Sequence, residues 1–341
     1  MRFKQVMRAA VLLCGLAGAM MPERALAQCD SPAMLTDAEL TQLRNRAEQV
    51  PFHRGLLWQV EKEGITSYVF GTMHLYSPRH SASMRRLRPL IGEVDQVLVE
   101  FNAADMAQLE RRLTTDIALI TIPDGPSLLD RLGPEAWDKL TDKLTPYQIP
   151  PFMAAKMQPW FLGFTMMTPP CAIADIQAKR PGIDRMIETA ADHAGKPVAS
   201  LDELDHLLPL LAGDPLDQQV EDLRWSLMLD LPTSFGDAGL VDFYFSEDVQ
   251  MIWENAQQQL AHLGTTLPAE DSQRLSGYVE ELMGDLIAGR NHYWMQRLPQ
   301  ALGAQPTLVA VGAMHLPGEN GVLNLLQQQG FTVSAVSMSQ P

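Results

Sequence analysis

The chain has 341 residues, 46% of them hydrophobic and 20% charged, which is the apolar content of a folded globular protein and not of a disordered one. Its 26 Lys and Arg against 41 Asp and Glu give a formal charge of −15, and no stretch gathers enough positive charge to neutralise a phosphate backbone, so nucleic acid is excluded as a partner. Beyond residue 27 no apolar run reaches the roughly 20 residues that span a bilayer, because Pro, Lys or Asp interrupts each one.

In chain order, Arg2, Lys4 and Arg8 precede the apolar run Ala9–Met21 and then Ala25-Leu26-Ala27, the three parts of a secretory signal. Residues 1–27 are therefore expected to be removed, leaving a secreted or periplasmic chain 28–341 with 22 basic and 40 acidic residues, a charge of −18. Gln28 before Cys29 argues against a lipid anchor, since lipid-modified cysteines follow a small residue. Cys14 leaves with the signal. Cys29 and Cys171 remain, and in an oxidising compartment a disulfide between them is the natural pairing, stabilising a loop of this size by about 4–5 kcal/mol in the chain-entropy model. Two buried free thiols are the alternative.

Leu35, Leu40, Leu43 and Ala47 recur at helical spacing, with Thr36 and Glu39 forming a capping box. Leu56–Val60 and Tyr68–Phe70 read as two strands paired across a turn at Gly64. A helical stretch Ser83–Gly92 follows, then Gln96–Val99, a buried strand that stops at Glu100. Residues 104–165 read as short helices broken by prolines, with Met153 and Met157 as flexible core filling. Gly182-Ile183-Asp184 opens a helix that Gly195 closes, and Pro197–Leu201 is a strand that stops at Asp202. Residues 205–303 are helical almost throughout. The chain ends with the strand Thr307–Val311, a helix Gly321–Gln329 and a last strand Phe331–Val336. This is the pattern of an α/β protein: a central, mostly parallel sheet with flanking helices and a large inserted helical lobe, expected as one domain over 28–341.

One pattern repeats. Tyr68-Val69-Phe70-Gly71-Thr72-Met73-His74-Leu75 and Val309-Ala310-Val311-Gly312-Ala313-Met314-His315-Leu316 are both apolar strands that end in Gly-x-Met-His-Leu. Gly71 and Gly312 permit a tight turn or a close approach, and each His falls just past its strand end, where open α/β sheets bind ligands. If the strands ending at His74, Glu100, Asp202 and His315 are parallel, two imidazoles and two carboxylates meet on one rim. Such a set suits a borderline divalent cation such as Mn, Co, Zn or Fe(II), which would acidify a water or polarise a carbonyl. Without a metal, the same groups supply a His base with a carboxylate to orient it.

These segments, with Leu57-Trp58-Gln59-Val60-Glu61, Glu100, Gly182-Ile183-Asp184, Gly195-Lys196-Pro197-Val198, Arg290-Asn291 and Pro317-Gly318-Glu319-Asn320-Gly321-Val322, resemble the TraB/PrgY/GumN family over about residues 29–338. That family is similar to the Tiki metalloproteases and has an EreA/ChaN-like fold. The resemblance implies a metal-dependent hydrolase, a peptidase acting on a peptide or protein substrate in the cell envelope. It implies His74, His315 and Glu100 as metal ligands, with Asp202 in a position where relatives carry Glu. Arg290-Asn291 resembles the family's Arg-Asn pair, with a guanidinium able to orient Glu100 or a substrate carboxylate; a structural Arg at a helix C-terminus is the other reading.

His80 is expected in a solvated loop, and Glu319-Asn320 to shape the turn before the last helix. No Gly-x-Ser-x-Gly elbow, His-Glu-x-x-His helix, P-loop or dinucleotide fingerprint is present in the sequence. The alternative from another class is a non-catalytic envelope module that uses the same rim to bind haem, a peptide or a glycan.

Overall fold

A computed structural model describes residue 29, residues 35–231 and residues 239–338. The expected signal segment lies outside them. Six strands form one sheet: β1 (Leu57–Lys62), β2 (Ile65–Thr72), β3 (Gln96–Val99), β4 (Val198–Ser200), β5 (Thr307–Gly312) and β6 (Thr332–Val336), in the order β4-β3-β5-β2-β1-β6. β1 and β2 are a hairpin with Lys62 opposite Ile65 across the turn Glu63–Gly64, and β1 also pairs antiparallel with β6. β2, β5, β3 and β4 pair parallel throughout. The four strands that sequence spacing aims at one rim therefore do end on the same side.

Both faces of the sheet are covered, which is why its central strands read as unbroken apolar runs. Phe70, Val97, Val99, Leu308 and Ala310 point to one face, against Leu87 and Ile91 of helix His80–Glu93 and Ile187 of helix Ile183–His193. Val69, Leu98, Val309 and Val311 point to the other, against Trp294, Leu298, Leu302, Leu323 and Leu326. The alternation along β3 and β5 is the period of two of a pleated strand.

Helix Asp37–Ala47 starts with the expected capping box of Thr36 and Glu39, and packs Leu43 and Ala47 on Phe243 and Met251. The helical lobe is wider than 205–303. Leu128, Leu140, Leu144 and Leu162 share one apolar cluster with Val220, Leu223 and Leu227 of helix Leu216–Met228, so the excursion between β3 and β4 joins that between β4 and β5. Cys29 and Cys171 form the expected disulfide. Among the described residues no helix is long and apolar enough to cross a membrane.

Candidate active site

Each motif residue reaches the rim because its strand ends there. Thr72 of β2 and Gly312 of β5 are register partners, so the two Gly-x-Met-His-Leu segments leave the sheet side by side. Their glycines serve close approach and not a left-handed turn: a Cβ on Gly71 would lie 2.8 Å from Leu316 Cδ1, and one on Gly312 would lie 3.0 Å from Glu100 Oε1. The Gly312 N–H donates to Glu100 Oε1 at 2.5 Å, tying the end of β5 to the end of β3.

A guanidinium organises the centre. Arg290 Nη2 donates to Glu100 Oε2 and, at 2.5 Å, to Asp202 Oδ2, while its Nε donates to Asp202 Oδ1 at 3.3 Å. Asp202 is a fully buried carboxylate and also accepts from the Trp294 indole N–H at 2.8 Å. The shorter Asp in place of Glu thus still belongs to the cluster. Arg290 follows the π-helical turn Gly284–Gly289 and begins Arg290–Trp294, the last stretch of a helical run that continues unbroken from Ala269. Trp294, one turn on, stacks obliquely on His315 at 4.5 Å.

His315 is only 3% exposed in its side chain. Asn291 Nδ2 donates to the carbonyls of His315 (3.3 Å) and Asn320 (2.8 Å), which turns its Oδ1 towards His315 Nδ1 at 2.7 Å. The Nδ1 therefore carries the proton, and Nε2 presents a lone pair to Arg290 Nη1 at 3.3 Å. Burial pushes the His315 pKa down to about 4, with the Arg290 charge acting in the same direction, so the ring is neutral near pH 7. Burial would raise the Glu100 carboxyl, but the facing His315, Arg290 and His74 and the Gly312 N–H hold it well below the usual range. Glu319-Asn320 shapes the turn as expected, with Asn320 also meeting His292 Nε2 at 3.0 Å.

His74 has the opposite surroundings. Its side chain is 68% exposed, and its Nδ1 lies 3.0 Å from Asp184 Oδ2. The Asp184 carboxylate raises the His74 pKa to about 9. Burial would raise the Asp184 carboxyl in turn, and His74 holds it below its ordinary value. Asp184 stands in the first turn of helix Ile183–His193, whose start presses directly on the motif loop. A Cβ on Gly182 would lie 2.2 Å from the His74 carbonyl oxygen, so only glycine fits.

Asp184 and Trp294 are site residues that strand-end spacing does not find. The available signals were the acidic residue behind Gly182 at a helix start, and the helical i+4 relation of Trp294 to Arg290. His80 departs from expectation: it is fully buried, with Nε2 2.9 Å from the Leu75 carbonyl and its ring against Phe245 and Tyr244, because helix Leu240–Phe245 covers that loop.

The resemblance implies a divalent ion on His74, His315 and Glu100, and the residues as arranged do not fit one. Among the described residues no three His, Cys, Asp or Glu side chains are grouped to hold an ion. His315 Nε2 and Glu100 Oε1 lie 3.8 Å apart, but Arg290 contacts both side chains, so the cation among Glu100, Asp202 and His315 is a guanidinium.

Fold and site define an α/β protein with paired strand-end histidines on a shared carboxylate–arginine rim. The model of the TraB/PrgY/gumN family matches residues 56–335, and the chain belongs to that family. No curated protein and no solved structure matches it.

Proposed function

We propose that the chain is an exported hydrolase of a peptide or protein substrate in which His74 transfers the proton and Asp184 orients and charges it. The observation that carries this reading is the His74–Asp184 pair at the sheet edge: Nδ1 is held by a carboxylate while the ring is exposed, so Nε2 is the atom offered to a substrate.

The steps follow from that geometry. The Nε2 of neutral His74 takes a proton from a water whose oxygen attacks the substrate carbonyl carbon, the carbonyl electron pair moving to its oxygen. Asp184 stabilises the imidazolium. When the carbonyl re-forms, the C–N bond breaks and the amine leaves with the proton from Nε2. Because the His74 pKa is raised to about 9, the neutral ring grows as pH rises, and turnover increases from pH 7 towards 9. Glu100, Asp202, Arg290 and neutral His315 are a fixed block that clamps the ends of β3, β4 and β5 and gives His74 a constant electrostatic setting.

A fluorogenic peptide library with the wild-type chain, His74→Ala and Asp184→Asn tests the reading. Cleavage that falls about 10²–10⁴-fold in His74→Ala is expected. No cleavage by the wild type, together with a Soret band on haem addition that His74→Ala loses, would put the ligand-binding module in its place. About one Mn, Co, Zn or Fe per chain, lost when His74 and His315 are both replaced by Ala, would replace it with the metal-dependent hydrolase.

A further inference from the structure

A cavity of about 220 Å³ opens beside the rim, between helix Val249–Thr266, the π-helical turn Gly284–Gly289 and the loop after β5. Its apolar lining is Trp253, Met283, Ile287, Ala288, Met314 and Pro317, all of them only partly buried, so it is reached from solvent, and the polar side chains of Gln250, Glu319 and Asn320 line it as well. Asn291 is a wall it shares with the site: the same amide lines the cavity and holds His315 Nδ1. Met314 immediately precedes His315 on the motif loop.

Size and lining restrict what enters. An apolar cavity of about 150 Å³ accepts benzene, and drug-sized ligands take roughly 300–1,000 Å³. At about 220 Å³ the space suits one large apolar side chain and is too small for a porphyrin. Met283 and Met314 have flexible, polarisable side chains that adapt to differently shaped apolar groups. The wall is also built by an irregularity: the wide π turn puts Ile287 and Ala288 into the cavity one step ahead of Arg290, and such turns recur at functional sites.

We propose that this cavity binds one apolar side chain, of leucine to phenylalanine size, from the peptide that lies across the rim. Its role in cleavage rests on the hydrolase reading; its binding role does not.

The test measures binding separately from turnover. The wild-type chain is titrated with N-acetyl amides of glycine, lysine, leucine and phenylalanine by calorimetry or ligand-observed NMR, beside Ala288→Phe, which fills the cavity. Burying such a side chain predicts at least tenfold tighter binding of the leucine or phenylalanine probe than of the glycine probe, lost in Ala288→Phe. That result supports the cavity even if no peptide is cleaved, in which case the hydrolase reading alone fails. Equal affinity for all four probes, or an unchanged preference in folded Ala288→Phe, would overturn it even if peptides are cleaved. Should Ala288→Phe not fold, Ile287→Ala decides: a preference shifted towards a tryptophan probe supports the cavity, and no shift overturns it.

Discussion

Two copies of one pentapeptide pattern leave neighbouring parallel strands, and their imidazoles end in opposite states. His74 is exposed beside the carboxylate of Asp184, with its pKa raised to about 9. His315 is buried beside the amide of Asn291 and the charge of Arg290, with its pKa lowered to about 4. The strand and the glycine deliver each ring to the rim, while the helix that arrives from elsewhere decides its chemistry. Paired titratable groups whose environments separate their pKa values are a common pattern at proton-transfer sites, and the proposal that His74 transfers the proton rests on this contrast.

The buried half of the comparison breaks most severely. Arg290→Met leaves Glu100 and Asp202 without their cation, and a loss of about 3–5 kcal/mol is expected in urea unfolding at pH 7. Adding Glu100→Gln and Asp202→Asn should recover most of it. A loss under about 1 kcal/mol in the single variant would show that the guanidinium does not hold the rim.

Next in size is the acid dependence of stability. The folded pKa of His315 lies below its unfolded value of 6.5, so the unfolded chain gains the proton first and stability falls as pH drops from about 6.5 to about 4. The shift corresponds to about 3 kcal/mol for this buried ring. His80, lowered by its own burial, adds in the same direction. Urea midpoints at pH 7 and 4.5 measure the loss, and His315→Gln should flatten that slope.

Exchanging the two partners sharpens the comparison. Asn291→Asp gives His315 a carboxylate and should raise its pKa by about 1–3 units, and Asp184→Asn should bring His74 back towards 6.5. Imidazole proton shifts followed by NMR against pH report both. In Asp184→Asn the midpoint of the rate-against-pH profile should move down with His74; an unmoved profile would separate His74 from the proton transfer.

The smallest effect is on the alkaline side. Because the folded His74 pKa is raised, the stability from its pairing with Asp184 is complete below pH 6.5 and is lost as pH rises through about 9. Solvent screens this exposed pair, so only a slight decline is expected, and Asp184→Asn should remove it.

Much of this could be read along the chain. β2, β3 and β5 lie where apolar runs end at Gly or Glu, because a strand buried on both faces has to be apolar throughout and a polar residue or glycine marks its exit, whereas β6 is half-exposed and runs out at Ser337. Thr36 and Glu39 announce their helix start for an equally local reason. The burial of His80 was hidden because helix Leu240–Phe245, which covers it, comes about 160 residues later. The joining of residues 128–162 to helix Leu216–Met228 was hidden in the same way.

By itself the sequence determined the strand segments, the two strand-end histidines and the acidic residues Glu100 and Asp202 that follow their strands, since each depends on side-chain patterning within a few residues. Only the tertiary structure decided that Arg290 stands as the cation among Glu100, Asp202 and His315, that Asp184 and not a second imidazole partners His74, and that one ring is exposed and the other buried. Electrostatic environment depends on distance and solvent access in three dimensions, and residues 110 positions apart along this chain are in contact across the rim of its sheet.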